Sequence, residues 1–557
     1  MGPRWIAVGI LLVVTTAVGF RLVPAPATHV PASEAQAVAA TGVETGQIAP
    51  DGGGQAALAA AAPSLSPTQL ERLQIRKLQM REQMAAFGES SAASPAALPL
   101  VAGRATTVTT AAAQFHGDPA TLVIGRNDQN TNANNPTKGS NLAEPAAANN
   151  ALRVFAAGNF NHAEVSTDGG VTWADVPLPG GPAAAPIVCC DHDVIIDDAR
   201  RVTFHSTLYV NGPLTTGAVR IFVRRDPPLA DCSYTFGPVA NRLPDYPHLG
   251  LTKRFLYLST NNVGSAGGFA QMMRLNIDQM ADCLTVSFTT FNQSFAVFGQ
   301  RVWVPGEGAN NIETMYWGQR DNSTTFRIFS WNEAASAPTS TIRTISTSNA
   351  TDPDCRGGVG NFDFIRSIDT SLAGFGLRGT AAPGANGGPG VLAFYWMVGA
   401  DAAHTQGHIH AAVFNLSGLG LLAQPNIFNN TFCFGFPAVT ANKRGDIGIT
   451  LAAGGRVGGG GTAAQGFVGI DDEFTAGIGF FGTFLLTAPG THNRSDGRYG
   501  DYFTIHPYEP CEQWFSATNY GLLNGTSVSN VNSRYVEFGR NQSARCYRAH
   551  GNQLPSP

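Results

Sequence analysis

Beyond Asp118, apolar residues fall into short runs and alternations separated by clusters of Gly, Asn, Asp and Pro, with no sustained helical period. That pattern predicts many short strands joined by turns. Four segments share one layout: a polar or ring residue opens a strand, a turn follows, and a second strand ends in small residues. They open at Asp193, His248, Pro437 and Tyr502, so the openings lie 55, 189 and 65 residues apart. The long interval is about three times the short ones, which calls for two further units, and Asn311–Trp317 and Ile368–Gly376 fall where they are needed. A seventh opening, Pro119–Asp128, precedes the first strong unit. A repeat of roughly 60 residues holds four strands plus loops, as radial repetition of four-stranded blades requires. The reading is all-β: a β-propeller of antiparallel four-stranded blades over residues 105–550, with seven blades fitting best, six as the alternative, and a tail at 551–557.

The chain before this region has a different character. Arg4 precedes an apolar run from Trp5 to Phe20, and small residues follow, including Ala35-Gln36-Ala37. Residues 1–37 therefore read as a signal peptide, or as an N-terminal anchor if uncleaved; either places the bulk of the chain outside the cytoplasm, secreted or at the cell surface. Residues 38–104 are rich in Ala, Gly, Pro and Ser and read as a disordered linker or prosegment, with one helix predicted over 67–87 after Ser66-Pro67. The balance of 35 basic against 39 acidic residues, with no long run of either sign, argues against a nucleic-acid partner, and leaves the N-terminal segment as the one route to a membrane. Eight cysteines are an even count in an exported chain and predict disulfides. Cys189 and Cys190 are expected to bond to two different partners, because a ring between neighbours is strained.

Between the first two openings stands Ser166-Thr167-Asp168-Gly169-Gly170-Val171-Thr172-Trp173. Asp168 and Ser166 can accept from nearby backbone amides, the glycines allow positive φ, and Trp173 can pack back over the turn. This run matches Ser-x-Asp-x-Gly-x-x-Trp, so the chain resembles the Asp-box (BNR repeat) β-propellers, sialidases among them, with Ser166, Asp168, Gly170 and Trp173 as the structural box. In that family the boxes lie at the outer rim of the blades, away from the central site. Arg498-Tyr499-Gly500-Asp501-Tyr502, Pro507 to Pro510 and Trp514 are similar to a late segment of sialidase-like secreted proteins, extending the resemblance loosely over residues 105–547.

The resemblance implies three carboxylate-binding arginines, a tyrosine nucleophile helped by a glutamate, and an aspartic acid as acid/base, and this chain fits that plan poorly. Phe326-Arg327-Ile328-Phe329 follows the Asp box instead of preceding it and lacks the proline, so Arg327 reads as an outward strand residue. Tyr508-Glu509 lies between prolines and reads as a turn. What remains are polar groups at the strand openings, which a propeller gathers at one end of its channel. Asp193, Asp501 and Tyr246 are the candidate catalytic residues; Arg126, Asp128, His192, His248 and Arg498 are the candidate ligand-binding ones. No cofactor is expected. Asp191-His192-Asp193 invites a metal, with calcium the natural ion for an extracellular oxygen site, but strand alternation would turn His192 away from its neighbours. The expected function is recognition of an extracellular glycan or cell-surface polymer at the channel. The alternatives are a sialidase-like glycoside hydrolase using channel carboxylates, and a structural or adhesive surface protein.

Overall fold

The computed structural model describes residues 42–51, 107–109, 120–129, 144–159, 162–225, 231–264, 268–295, 302–308, 312–346, 354–365, 377–382, 390–475, 479, 481–493, 499–500, 503–509, 511, 513–523, 531–549 and 551. The predicted export segment, the helix over 67–87, Arg498, Asp501 and Tyr502 lie outside them.

Described residues form seven radial sheets in chain order, antiparallel but for Thr107–Thr109, which adds a parallel edge to the sixth. The first blade is Ala146–Asn150, Arg153–Gly158, His162–Ser166 and Ala174–Asp175; the second is Ile187–Asp197, Val202–Val210, Thr216–Arg224 and Cys232–Ala240. Leu243–Leu251, Phe255–Val263, Phe269–Asn276 and Val286–Ser294 make the third. In the fourth, Thr314–Arg320, Thr325–Asn332 and Thr339–Thr344 pair, and residues 302–307 run inside them, tied by Gly306 N–H to the Tyr316 carbonyl at 2.8 Å. The fifth is Arg378–Ala382, Val391–Val398, His408–Asn415 and Leu421–Ala423, and the sixth is Cys433–Ala441, Ile447–Gly454, Gln465–Asp471 and Thr483–Ala488. The seventh joins Ile505–Pro507, Phe515–Leu522 and Val531–Arg540 to Leu122–Gln129 from the N-terminal side, which closes the ring. Among the described residues, the ring is closed within one sheet by strands from both ends of the repeat region. A small sheet of Cys355–Gly357, Phe362–Asp363 and Arg456–Val457 lies outside this repeat.

Inner and middle strands are buried on both faces because blades pack on blades, so Val202–Val210 and Leu243–Leu251 are buried throughout. Outer strands such as Thr339–Thr344 alternate buried and exposed, as a one-sided face requires. Between the third and fourth blades Phe291 stacks on Trp303 at 5.3 Å and Trp317 on Phe329 at 5.0 Å. Each such side chain contributes about 1.5–3 kcal/mol by burial.

Several expectations need correction. Pro119–Asp128 does not open an inner strand: Leu122–Gln129 is the outermost strand of the seventh blade, drawn there because ring closure needs a partner for Val531–Arg540. The fourth blade's inner segment is 302–307, ahead of the described part of Asn311–Trp317, which enters the next strand, Thr314–Arg320; Ile368–Gly376 lies outside the described residues, and the fifth blade's first described strand is Arg378–Ala382. Within the expected linker, Val43–Ile48 pairs with the outer edge of the third blade, and Asp51 accepts from Ser233 Oγ (2.6 Å) and Thr235 Oγ1 (2.9 Å). A composition averaged over 38–104 hides this six-residue strand. Cys189 and Cys190 bond to each other; they sit between Val188 and His192, where pairing with Val202–Val210 shifts register, and an irregular backbone lets adjacent side chains meet. Cys232–Cys283, Cys355–Cys433 and Cys511–Cys546 complete four disulfides, as suits an oxidising, extracytoplasmic compartment.

Candidate functional site

The inner strand of the second blade carries Asp191 and Asp193 on one face and His192 on the other. Asp193 Oδ1 accepts from Val194 N (2.8 Å) and Oδ2 from Leu249 N (2.7 Å) in the third blade, with His248 Nδ1 at 3.6 Å. Asp191 Oδ2 accepts from Tyr246 N (3.0 Å), where φ is +58° and the pairing of the third blade shifts register. These two carboxylates staple neighbouring blades through backbone amides that would otherwise be buried unpaired. Tyr246 stands edge-on to His248 at 4.6 Å, and the Arg378 guanidinium lies over its ring at 5.2 Å. Asp193, Tyr246 and His248 are thus brought together on the channel side.

His192 is separate. Its Nδ1 meets His205 Nε2 at 3.0 Å with the rings stacked in the packing between the first two blades, so the run Asp191-His192-Asp193 cannot present three ligands to one ion. Arg126 and Asp128, on the outer strand of the seventh blade, pair with each other at 3.2 Å, with Glu537 3.9 Å from Arg126; neither reaches the channel. Arg327 lies on the fourth blade's middle strand, held by Asp321 at 2.7 Å.

Four residues that sequence reading did not select complete the channel site. Glu307 from the fourth blade and His506 from the seventh approach across the axis, Oε2 to Nδ1 at 3.5 Å. Burial pushes the Glu307 carboxyl up, outweighing His506 and Arg378. Burial pulls the His506 imidazole down, but Glu307, Asp193 and the Val194 carbonyl outweigh it and hold it above its ordinary value. Both shifts favour a proton retained between the two groups. Arg378 is the third, its Nη2 buried without a hydrogen-bond partner among the described residues. Glu509 is the fourth: burial, with Asp198 and Asp197 adding to it against Lys443, pushes its carboxyl up to about 7, and Oε2 has no partner among the described residues. Its backbone carbonyl accepts from Asn149 Nδ2 (2.9 Å) and Ala151 N (2.8 Å) of the first blade.

Glu307, His506, Glu509 and Asn149 line one cavity with Ile196 and Leu251, so five blades contribute to it. Its volume is about 20 Å³, which admits a water or a single hydroxyl-sized group. The signals for these residues were weak in the sequence. Glu307 precedes a glycine in an inner segment with little alternation, and Glu509 sits in a proline-flanked turn that is also a channel wall.

The Ser166–Trp173 turn lies on the outer part of the first blade. Ser166 Oγ accepts from Gly170 N (2.7 Å), Asp168 Oδ1 from Thr172 N (2.8 Å), and Asp168 Oδ2 from Thr172 Oγ1 (2.6 Å). Burial raises the Asp168 carboxyl, yet the bonds from Thr172 and Ser166 outweigh it and hold it below the usual range. Trp173 packs edge-on against Tyr535 of the seventh blade at 6.0 Å.

No protein-family model matches the chain, and no curated protein matches it in sequence. Among solved structures it is similar to the Dos1 propeller (7% identity, 76% of this chain and 97% of that one, TM-score 0.38) and to an α-L-arabinanase from Penicillium chrysogenum in complex with arabinobiose (9%, 72% and 94%, TM-score 0.36). It is also similar to the NanB sialidase from Streptococcus pneumoniae (8%, 75% and 71%, TM-score 0.34).

Proposed function

We propose that this protein is an extracytoplasmic propeller that binds a hydroxyl-rich ligand, a glycan or related cell-surface polymer, at the mouth of its central channel. The observation that carries the reading is the convergence of Glu307, His506, Glu509 and Asn149, from three blades, on one cavity. Carboxyl and imidazole groups held in a buried wall exchange hydrogen bonds with hydroxyls, and a space of about 20 Å³ admits one hydroxyl while the rest of the ligand lies across the mouth. An array of bacterial, plant and animal glycans is the test. Wild type is expected to retain a defined subset, and Glu307→Gln and His506→Gln, checked for folding by circular dichroism, to lose it by at least about tenfold, the worth of one charge-assisted hydrogen bond. No retention by wild type, or equal retention by both variants, overturns it.

A second reading, glycoside hydrolysis, is favoured by one feature: Glu509 is pushed up to about 7, the range a general acid needs at neutral pH, and Glu307 lies in the same cavity as a second carboxyl group. In this reading Glu509 and Glu307 replace Asp193, whose two oxygens are already engaged by amides. Turnover of a sialoside, uronide or arabinoside reporter that Glu509→Gln abolishes is its expected result; turnover unchanged in that variant excludes it.

A further inference from the structure

In the fifth blade, the loop between Val391–Val398 and His408–Asn415 is wound tightly around one side chain. Asp401 Oδ1 accepts from Ala403 N (2.8 Å) and His404 N (2.7 Å), and His404 Nδ1 lies 2.9 Å and 3.1 Å from the two carboxylate oxygens. His408, the first residue of the next strand, brings its ring to 4.3 Å from that of His404. One ligand atom from each of Asp401, His404 and His408 falls within 4.8 Å of the other two. Both histidines are buried, whereas the Asp401 side chain is 30% exposed, so the cluster opens to solvent on the carboxylate side.

We propose that Asp401, His404 and His408 bind a divalent transition-metal ion of the zinc class, through one carboxylate oxygen and one ring nitrogen from each histidine. Two imidazoles with one carboxylate form a ligand set that suits zinc and its neighbours, while calcium and magnesium prefer oxygen alone. Tetrahedral bonds of about 2.0–2.1 Å place ligand atoms about 3.3 Å apart. The His404–Asp401 pair already stands near that spacing, and His408 has only to close on it. All eight cysteines are in disulfides, so no thiolate competes for the ion.

The surroundings hold the rings in place. His408 Nδ1 meets the Gln406 carbonyl at 3.2 Å, which leaves Nε2 as its ligand atom. Asn426 Oδ1 accepts from Nδ1 of His410, on the same strand as His408 (2.5 Å), and Phe428 packs edge-on against His404 at 4.5 Å. Gln406 Oε1 accepts from Val457 N at 2.8 Å, and Phe434 N–H donates to the Gly407 carbonyl at 3.0 Å, fixing the loop against the next blade. Orienting contacts of this kind are what metal-ligating histidines require. The carboxylate side leaves room for water or a ligand to complete the coordination shell.

The test is titration of the chelator-treated full chain with Zn²⁺ by calorimetry, and with Co²⁺ by visible absorption. One ion per chain is expected, with His404→Ala and His408→Ala each weakening binding by more than about 100-fold and Asp401→Asn by about 10-fold or more. Co²⁺ should give the intense visible bands of a four- or five-coordinate site without a sulfur charge-transfer band. If a histidine variant fails to fold, the Co²⁺ spectrum of wild type decides alone. Absence of stoichiometric binding by wild type, a weak six-coordinate spectrum, or affinity unchanged in folded histidine variants overturns it.

Discussion

At the rim of the first blade, Asp168 meets its acceptor needs within its own turn, from Thr172 and Ser166, and its carboxyl is held low. At the channel, Glu509 is buried with Oε2 lacking a partner among the described residues, and its carboxyl is pushed up to about 7. Asp193 lies between these cases: it is as buried as Glu509, but both oxygens accept from amides, one across a blade boundary. Three carboxylates therefore separate by what surrounds their oxygens. Where the backbone supplies donors the residue builds the fold; where it does not, the group is left for a ligand or a proton, at a cost to stability.

The sharpest way to break that comparison is to remove the buried carboxylate whose two oxygens both serve backbone amides. Asp193→Ala leaves the Val194 and Leu249 amides buried without acceptors, and loss of about 2–5 kcal/mol is expected from two such groups. Asp193→Asn keeps one acceptor and should recover about half of it. Urea unfolding under non-oxidising, non-reducing conditions measures both, and a neutral Asp193→Ala would show that Asp193 is not a staple.

Glu509 should behave in the opposite sense. Its folded value near 7 stands above its ordinary value of 4.5, so the folded chain keeps a proton that the unfolded chain gives up. The associated stability is fully present below about pH 4.5, declines as pH rises toward 7, and is flat above that. Glu509→Gln removes this loss and should gain up to about 3 kcal/mol at pH 8 relative to pH 4, read as the difference between variant and wild-type stability curves. Glu537 and Asp471, also pushed up to about 7 by burial, keep a slope in both proteins, which is why the difference is the quantity to measure. A pH-independent difference would place the Glu509 carboxyl in contact with water.

The ring was legible because blade repetition imposes spacing: openings at Asp193 and His248 fall within the inner strands of consecutive blades, Ile187–Asp197 and Leu243–Leu251. It was less legible where a blade departs from that spacing. The fourth blade's inner segment pairs sparingly, so Glu307 sits in a stretch that reads as loop. The seventh blade borrows Leu122–Gln129, so Arg126 and Asp128 had the look of an opening but occupy the outermost strand. Glu307 and His506 are 199 positions apart in sequence and meet only because the fourth and seventh blades face each other across the axis; no local pattern encodes that. The Ser166–Trp173 turn, by contrast, is local chemistry, and its hydrogen bonds are those its residue types anticipate.

The rim turn offers the next largest effect. Gly170 has φ of +94°, and a Cβ there would come 2.9 Å from the Tyr535 ring, so Gly170→Ala meets both backbone strain and a clash with the seventh blade. Loss of about 1–3 kcal/mol is expected by thermal or urea unfolding, with retention of channel binding. Loss of binding without loss of stability would mean the turn itself contacts ligand.

Asp168→Ala is the smallest of the series and the cleanest separator of rim from channel. The side chain is partly exposed, the Thr172 amide and hydroxyl can turn to water, and the buried Ser166 hydroxyl keeps its bond with the Gly170 amide, so the cost is expected at about 0.5–1.5 kcal/mol. Because its carboxyl is held below the ordinary 3.8, its contribution is present above that pH and is lost as pH falls through the lower folded value, the reverse of Glu509. Variant and wild type should therefore differ at pH 7 and converge in strong acid, whereas for Glu509→Gln they should agree in acid and diverge toward neutral pH. Two carboxylates whose difference curves bend in opposite directions would establish that surroundings, not residue type, divide the fold-building groups of this propeller from those left free at its axis. Curves bending the same way would remove the physical basis for singling out the channel.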